Sequence, residues 1–122
     1  MLEIKKQEIE KECKNLFEKY EKILEENFET KYKNYFIKYE NSINVIEARS
    51  RYRKAKNKNK ELFDDFNKEL YNLIFDKELN IKDKKYFCRI YKTCSKNLLF
   101  VINKINEEQT KFLKEFMKNK GK

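Results

Sequence analysis

Apolar residues recur along this chain at steps of three and four, with charged residues filling the gaps. The first stripe runs Leu2, Ile9, Cys13, Leu16, Tyr20, Ile23, Leu24 and Phe28, and continues as Tyr32, Tyr35, Phe36 and Tyr39. That spacing is one face of a 3.6-residue helix. Glu10 with Lys14, and Glu18 with Lys22, add i,i+4 support on the wet face. Unbroken, the segment would span about 57 Å, with a kink or break expected around Glu29–Thr30. Asn41-Ser42 is the first punctuation, and either residue can cap a new helix. A second, shorter segment carries Ile43, Ile46 and Tyr52 on one side and ends in the run Arg49–Lys60, where Asn57 or Asn59 is the expected cap of a third.

The third segment, Lys60 to about Leu79, has its stripe at Leu62, Phe63, Phe66, Leu70, Leu73, Ile74 and Phe75. Asp76 to Asp83 reads as the next turn, with Asn80 and Asp83 as cap candidates. The fourth segment, Lys82 to Asn119, places Phe87, Ile90, Cys94, Leu98, Val101, Ile105, Phe112 and Phe116 on one face. At roughly 55 Å it matches the first, and the two are expected to form long antiparallel walls. The pattern therefore predicts an all-α protein, an elongated antiparallel helical bundle of three to four helices. Three long helices and one short one is the preferred count; a continuous helix through Asn41-Ser42 is the three-helix alternative. Residues 1–122 read as one domain, with fraying expected at 118–122. The long stripes also allow a homodimer through the first or fourth segment.

Composition narrows the choice further. The 122 residues contain no Pro and one Gly, Gly121. Sandwiches, barrels and α/β folds draw on both residue types for their turns, whereas a bundle needs few. Gly-rich phosphate loops and dinucleotide fingerprints are excluded, since each needs several glycines at fixed spacing. The longest uninterrupted apolar run, Leu98 to Ile102, is far short of the ~20 residues of a membrane span. The charged N-terminus does not read as a signal peptide. Cys13, Cys88 and Cys94 are odd in number and irregular in spacing, so they read as reduced thiols. The expected location is the cytoplasm of a bacterium, a phage or another AT-rich source.

Enzyme chemistry has little to stand on. Histidine is absent, which removes the commonest general base and metal ligand. Asp65 and Glu69 make an i,i+4 carboxylate pair beside Asp64, but exposed acids on an amphipathic helix look the same. No catalytic residue, cofactor or metal site is expected. Cys94 falls on the core stripe and reads as packing; Cys88, on its flank, reads as a partly exposed thiol.

Charge carries the functional expectation. The net charge is +9. Lys outnumbers Arg 26 to 4, a bias that AT-rich genomes impose on all their proteins, so placement matters more than the total. Residues 1–48 sum to −2, residues 49–60 to +7 and residues 61–122 to +4. The middle run holds Arg49, Arg51, Arg53, Lys56 and Lys60 with Tyr52 among them, and no acid. Arginine contacts phosphate bidentately and stacks on bases in ways lysine does not, and Tyr52 is placed to stack on a base. An ordinary, poorly ordered basic loop is the bland reading of the same run. A second candidate is the row Lys82, Lys85, Arg89, Lys92 and Lys96, which falls within about 80° of a helix circumference. Its bland reading is a solvated face. Tyr32, Tyr35, Phe36 and Tyr39 with their neighbouring lysines resemble a stacking platform, yet they continue the core stripe and are expected to pack inside.

The leading expectation is a non-catalytic accessory protein that grips the backbone of RNA or DNA within a nucleoprotein assembly. The alternative is a small phage or mobile-element protein that binds and inhibits or modulates a larger nucleic-acid-handling protein, an anti-CRISPR protein for example. A structural coiled-coil scaffold is the third reading.

Overall fold

The computed structural model describes residues 2–39, 41–75 and 81–120. Almost all of them are helical, and among them there is no strand. Helix α1 (Leu2–Glu26) passes into a π-helical stretch (Asn27–Lys33) and then the short α2 (Asn34–Lys38). After a turn come α3 (Val45–Phe75) and α4 (Ile81–Lys120). No described helix is long and apolar enough to cross a membrane.

The irregularity expected around Glu29–Thr30 is a π-helical stretch: the helix does not end there but widens. Tyr20, Leu24, Phe28, Tyr32 and Phe36 are spaced by fours. In an α-helix each step of four drifts about 40° around the axis. The i→i+5 bonding of a π-helix takes up that drift, and it leaves Tyr32 and Phe36 buried in line with Tyr20 and Leu24. Thr30 donates its hydroxyl back to the Glu26 carbonyl at 2.5 Å, a local bond that loosens the ordinary ladder.

The turn that follows is closed by Ser42 and Ile43 donating their backbone N–H to the Tyr39 carbonyl. The cap of α3 is neither Asn41 nor Ser42 but Asn44, whose Oδ1 accepts the Glu47 N–H at 2.8 Å. Such a cap contributes about 1 kcal/mol. Ile43 is buried in the turn, while Ile46, expected beside it, is 80% exposed in the first turn of α3. Neither Asn57 nor Asn59 begins a helix. The second and third sequence segments are one rod, because Asn59 is occupied inside the bundle rather than at an end. Of the turn expected over Asp76–Asp83, residues 76–80, with the cap candidate Asn80, lie outside those described, and Asp83 lies within the first turn of α4 and is buried.

That fusion sets the topology. Tyr20 on α1 bonds Glu69 on α3, and Tyr35 bonds Glu47, so α3 runs against α1. Tyr71 meets Tyr91, and Asn59 meets Asn106, so α4 runs against α3. Glu10 of α1 pairs with Tyr86 of α4, and Tyr32 of the π-helical stretch pairs with Gln109 of α4, so the partners rise together along the chain. The first and last helices are therefore parallel, not antiparallel, since three rods joined by reversals return to the starting direction.

The main core is Ile9, Cys13, Tyr20 and Leu24 of α1, Leu62, Phe66, Leu70 and Ile74 of α3, and Phe87, Leu98, Ile102 and Ile105 of α4. A second, aromatic cluster closes the other end around Tyr32, Phe36, Ile43 and Phe116. Phe36 lies 5.4 Å from Phe116 and 4.9 Å from Tyr32, ring to ring.

Candidate nucleic-acid interface

The run Arg49–Lys60 is continuous helix, not a loop, so its cations hold fixed directions. At about 100° per residue they divide into two rows. Arg49, Arg53, Lys56 and Lys60 lie on one flank of α3; Arg51, Lys54 and Lys58 lie on the other. The inward line between the rows is Ala48, Ala55, Asn59 and Leu62. All seven cations are exposed. Of these seven, only Lys58 has an acid partner among the described residues, Glu61 at 3.9 Å. That pair is open to water and contributes little. Tyr52 is half-buried, with its hydroxyl 2.9 Å from Thr110 Oγ1 and the Lys56 ammonium 6.0 Å from its ring centre. It joins α3 to α4 at the edge of the basic run.

Lys82, Lys85, Arg89, Lys92 and Lys96 are all exposed on the first turns of α4. They lie nearly opposite Phe87 and Leu98 on that helix, so they point away from both neighbouring helices. The fold does not bring this row to the α3 run. The part of α4 that packs beside Asn59 and Tyr52 is Asn106–Thr110, roughly 30 Å along the helix from Arg89. The eleven candidate residues thus form two surfaces at opposite halves of the bundle.

Between the π-helical stretch and α3 lies a cleft of about 270 Å³. One wall is aromatic, with Tyr32, Tyr35 and Phe36; the rim is cationic, with Lys31, Arg51, Lys54 and Lys58. The Arg51 guanidinium sits 3.7 Å from the centre of the Tyr35 ring. The Tyr35 hydroxyl donates to Glu47 Oε1 at 2.6 Å, and that bond raises its pKa against the lowering effect of Arg51. Tyr35 is half-exposed and Tyr39 exposed, whereas Tyr32 and Phe36 are core. The aromatic stretch expected to pack entirely inside is thus shared between core and cleft.

The cleft floor is polar. Asn59 and Gln109 are each only 2% exposed. Asn59 Nδ2 donates to Asn106 Oδ1 at 2.9 Å and to Gln109 Oε1 at 3.4 Å. Tyr32 donates its hydroxyl to the Gln109 carbonyl at 2.9 Å, and its burial pushes its pKa up. Sequence reading missed this layer. Its signal was present: Ala55, Asn59, Leu62 and Phe66 step by four, three and four, and Ile102, Ile105, Gln109 and Phe112 by three, four and three. Polar residues standing on an apolar stripe face the core with it.

Glu69, from the candidate carboxylate pair, accepts the Tyr20 hydroxyl at 2.9 Å. Among the described residues no three Asp, Glu or Cys side chains converge as a metal site needs.

The fold also joins two thiols. Cys13 is buried on α1 and Cys94 is half-buried on α4, and both line a small cleft with Glu10 and Ile90. The neighbouring Cys13 thiol lowers the Cys94 pKa to about 7. The same contact and burial push Cys13 up. Cys94 packs against the main core as its place on the stripe predicts, and its thiol faces Cys13 as well. Iodoacetamide should label Cys94 at a rate that rises through pH ~7 as its thiolate forms, while Cys13 stays unmodified in the folded protein. Peptide mass spectrometry reads both sites; equal labelling of Cys13 would show that the thiols do not meet.

No family model, no curated protein and no solved structure matches this chain.

Proposed function

We propose that this protein is a non-catalytic accessory factor that binds the phosphate backbone of RNA or DNA through the basic half of α3. One observation carries the reading: seven cations in twelve residues on a rigid helix, all exposed, with a single weak acid partner among the described residues. Aligned cations repel one another, and phosphates relieve that repulsion while releasing counterions. The run is about 16 Å long, enough to follow several phosphates at ~3.4 Å each along one strand of a duplex. The α4 row offers a second, separate contact for a longer strand.

Fluorescence anisotropy tests this with nuclease-treated protein and labelled single-stranded RNA, single-stranded DNA and duplex DNA across a salt series. The expected result is micromolar or tighter binding, with log K falling against log salt at a slope near −3 to −5, as roughly four to seven phosphates would give. Absence of binding to all three at physiological salt would sink the reading.

The alternative, docking on a larger nucleic-acid-handling protein in the manner of an anti-CRISPR protein, draws support from Ile37 and Ile46. They are 58% and 80% exposed at the same end of the bundle as the basic run. Isolated surface isoleucines are common, so this reading stands second. A homodimer through the α1 or α4 face would show as dissociation that depends on concentration.

A further inference from the structure

We propose that the cleft between the π-helical stretch and α3 receives one unpaired nucleobase of the bound strand, so that the protein selects single-stranded over duplex nucleic acid. This rests on the backbone-binding reading above and adds to it a specific site. Three independent features of the cleft point the same way.

The first is size. At about 270 Å³ the cleft sits just under the ~300–1,000 Å³ of small-molecule pockets. That is the scale of a single ring system. The second is the wall. Tyr35 is half-exposed, and the Arg51 guanidinium already lies against its ring at 3.7 Å. Flat guanidinium and phenol surfaces are what splayed-out bases stack upon. Arg51, Lys54 and Lys58 stand along the rim on the row of α3 that faces the cleft, where the phosphates flanking an inserted base would lie.

The third is the floor. Asn59 and Gln109 are buried amides, and their mutual bonding uses Asn59 Nδ2 and Gln109 Oε1. That leaves Asn59 Oδ1 and Gln109 Nε2 outside the amide–amide bond. An amide carries both a donor and an acceptor, and two amides lining an aromatic cleft suit the edge of a base, which presents both. A purely apolar ligand would offer these amides no partner, and a free anion would gain nothing from the aromatic wall.

The other row of α3 cations, Arg49, Arg53, Lys56 and Lys60, lies outside the cleft and holds the backbone without reading a base. The two rows therefore divide the work: one positions the strand and the other admits a base.

The test is a single-stranded oligonucleotide carrying 2-aminopurine at one internal position, titrated with the 122-residue protein, beside the same sequence as a duplex. Stacking in the cleft should change 2-aminopurine emission several-fold on binding. The single strand should bind about tenfold or more tightly than the duplex at equal salt, given the worth of one stacked base. Tyr35→Leu removes the stacking ring, and Arg51→Lys removes the guanidinium plane that rests on it while keeping the charge; circular dichroism checks that each variant stays folded. Each should abolish most of the emission change while anisotropy affinity falls by only about the same tenfold. If the protein binds by anisotropy but emission is unchanged, or single strand and duplex bind alike, the base site is overturned and backbone binding stands. If no oligonucleotide binds at all, the backbone reading fails first and the base site with it.

Discussion

Replacing Arg49, Arg51 and Arg53 together with glutamate should lower the affinity for a single-stranded oligonucleotide by on the order of a hundredfold. The salt dependence should also flatten, by about two in the slope, because three phosphate contacts at roughly 0.7 each are lost. The three side chains are exposed and sit in the first turns of α3. All three stand at solvent-facing positions, so the helix should survive, and circular dichroism would register any loss. Arg51 is the one with an internal role, resting on Tyr35, so the Arg49 and Arg53 double reversal separates charge from packing. Reversing the α4 row, Lys82 to Lys96, should cost less for a short strand, since that surface lies roughly 30 Å away along the bundle. Equal losses from both rows on a short oligonucleotide would show non-specific attraction by the whole molecule. An unchanged slope in the triple variant would remove α3 as the binding surface.

Phe66→Ala should be the most damaging single change to the fold, at about 3–5 kcal/mol. Phe66 has no exposed surface, sits where all three long helices meet, and takes the edge of Tyr20 at 5.4 Å. Its loss would leave a cavity that rigid helices cannot collapse to fill. A domain of this length has a total stability on the order of 6–18 kcal/mol, so the variant should melt roughly 10–20 °C lower. Tyr20 also orients Glu69, and burial with that bond pushes the Tyr20 pKa up to about 12. Phe63→Ala, at a half-buried position on the same helix, is the comparison and should cost less. If the two variants melted together, the stripe rather than the three-helix junction would be what holds the bundle.

Much of this was legible from local pattern. The stripe residues Ile9, Cys13, Tyr20, Leu24, Leu62, Phe66, Leu70, Ile74, Phe87, Leu98 and Phe116 are all buried. A helical period is a property of neighbouring residues, and burying such a face is the only way it gains free energy. The all-α class followed from the same period and from the scarcity of Gly and Pro. The candidate cations were legible too, since Arg clustered against a Lys background stands out without any fold.

What the pattern could not decide depended on partners distant in the chain. Asn57 and Asn59 have the side chains of caps, and by propensity they end one helix and begin another. Asn59 instead spends its amide on Asn106 and Gln109, and that satisfaction lets α3 run through. One helix fewer then turned the first and last helices parallel. The step-of-four run from Tyr20 to Phe36 held the signal for the π-helical stretch, but only a core to face makes the wider turn worthwhile. Cys13 and Cys94 meet because α1 and α4 lie side by side, which no spacing records. The basic run was visible as one patch, and the fold divides it into two rows, one of them on a cleft. The sequence by itself determined which residues are apolar, which are charged and how each repeats, because period and composition act over a few residues. Tertiary structure alone decided which faces meet, because burial rewards a contact whatever its distance along the chain.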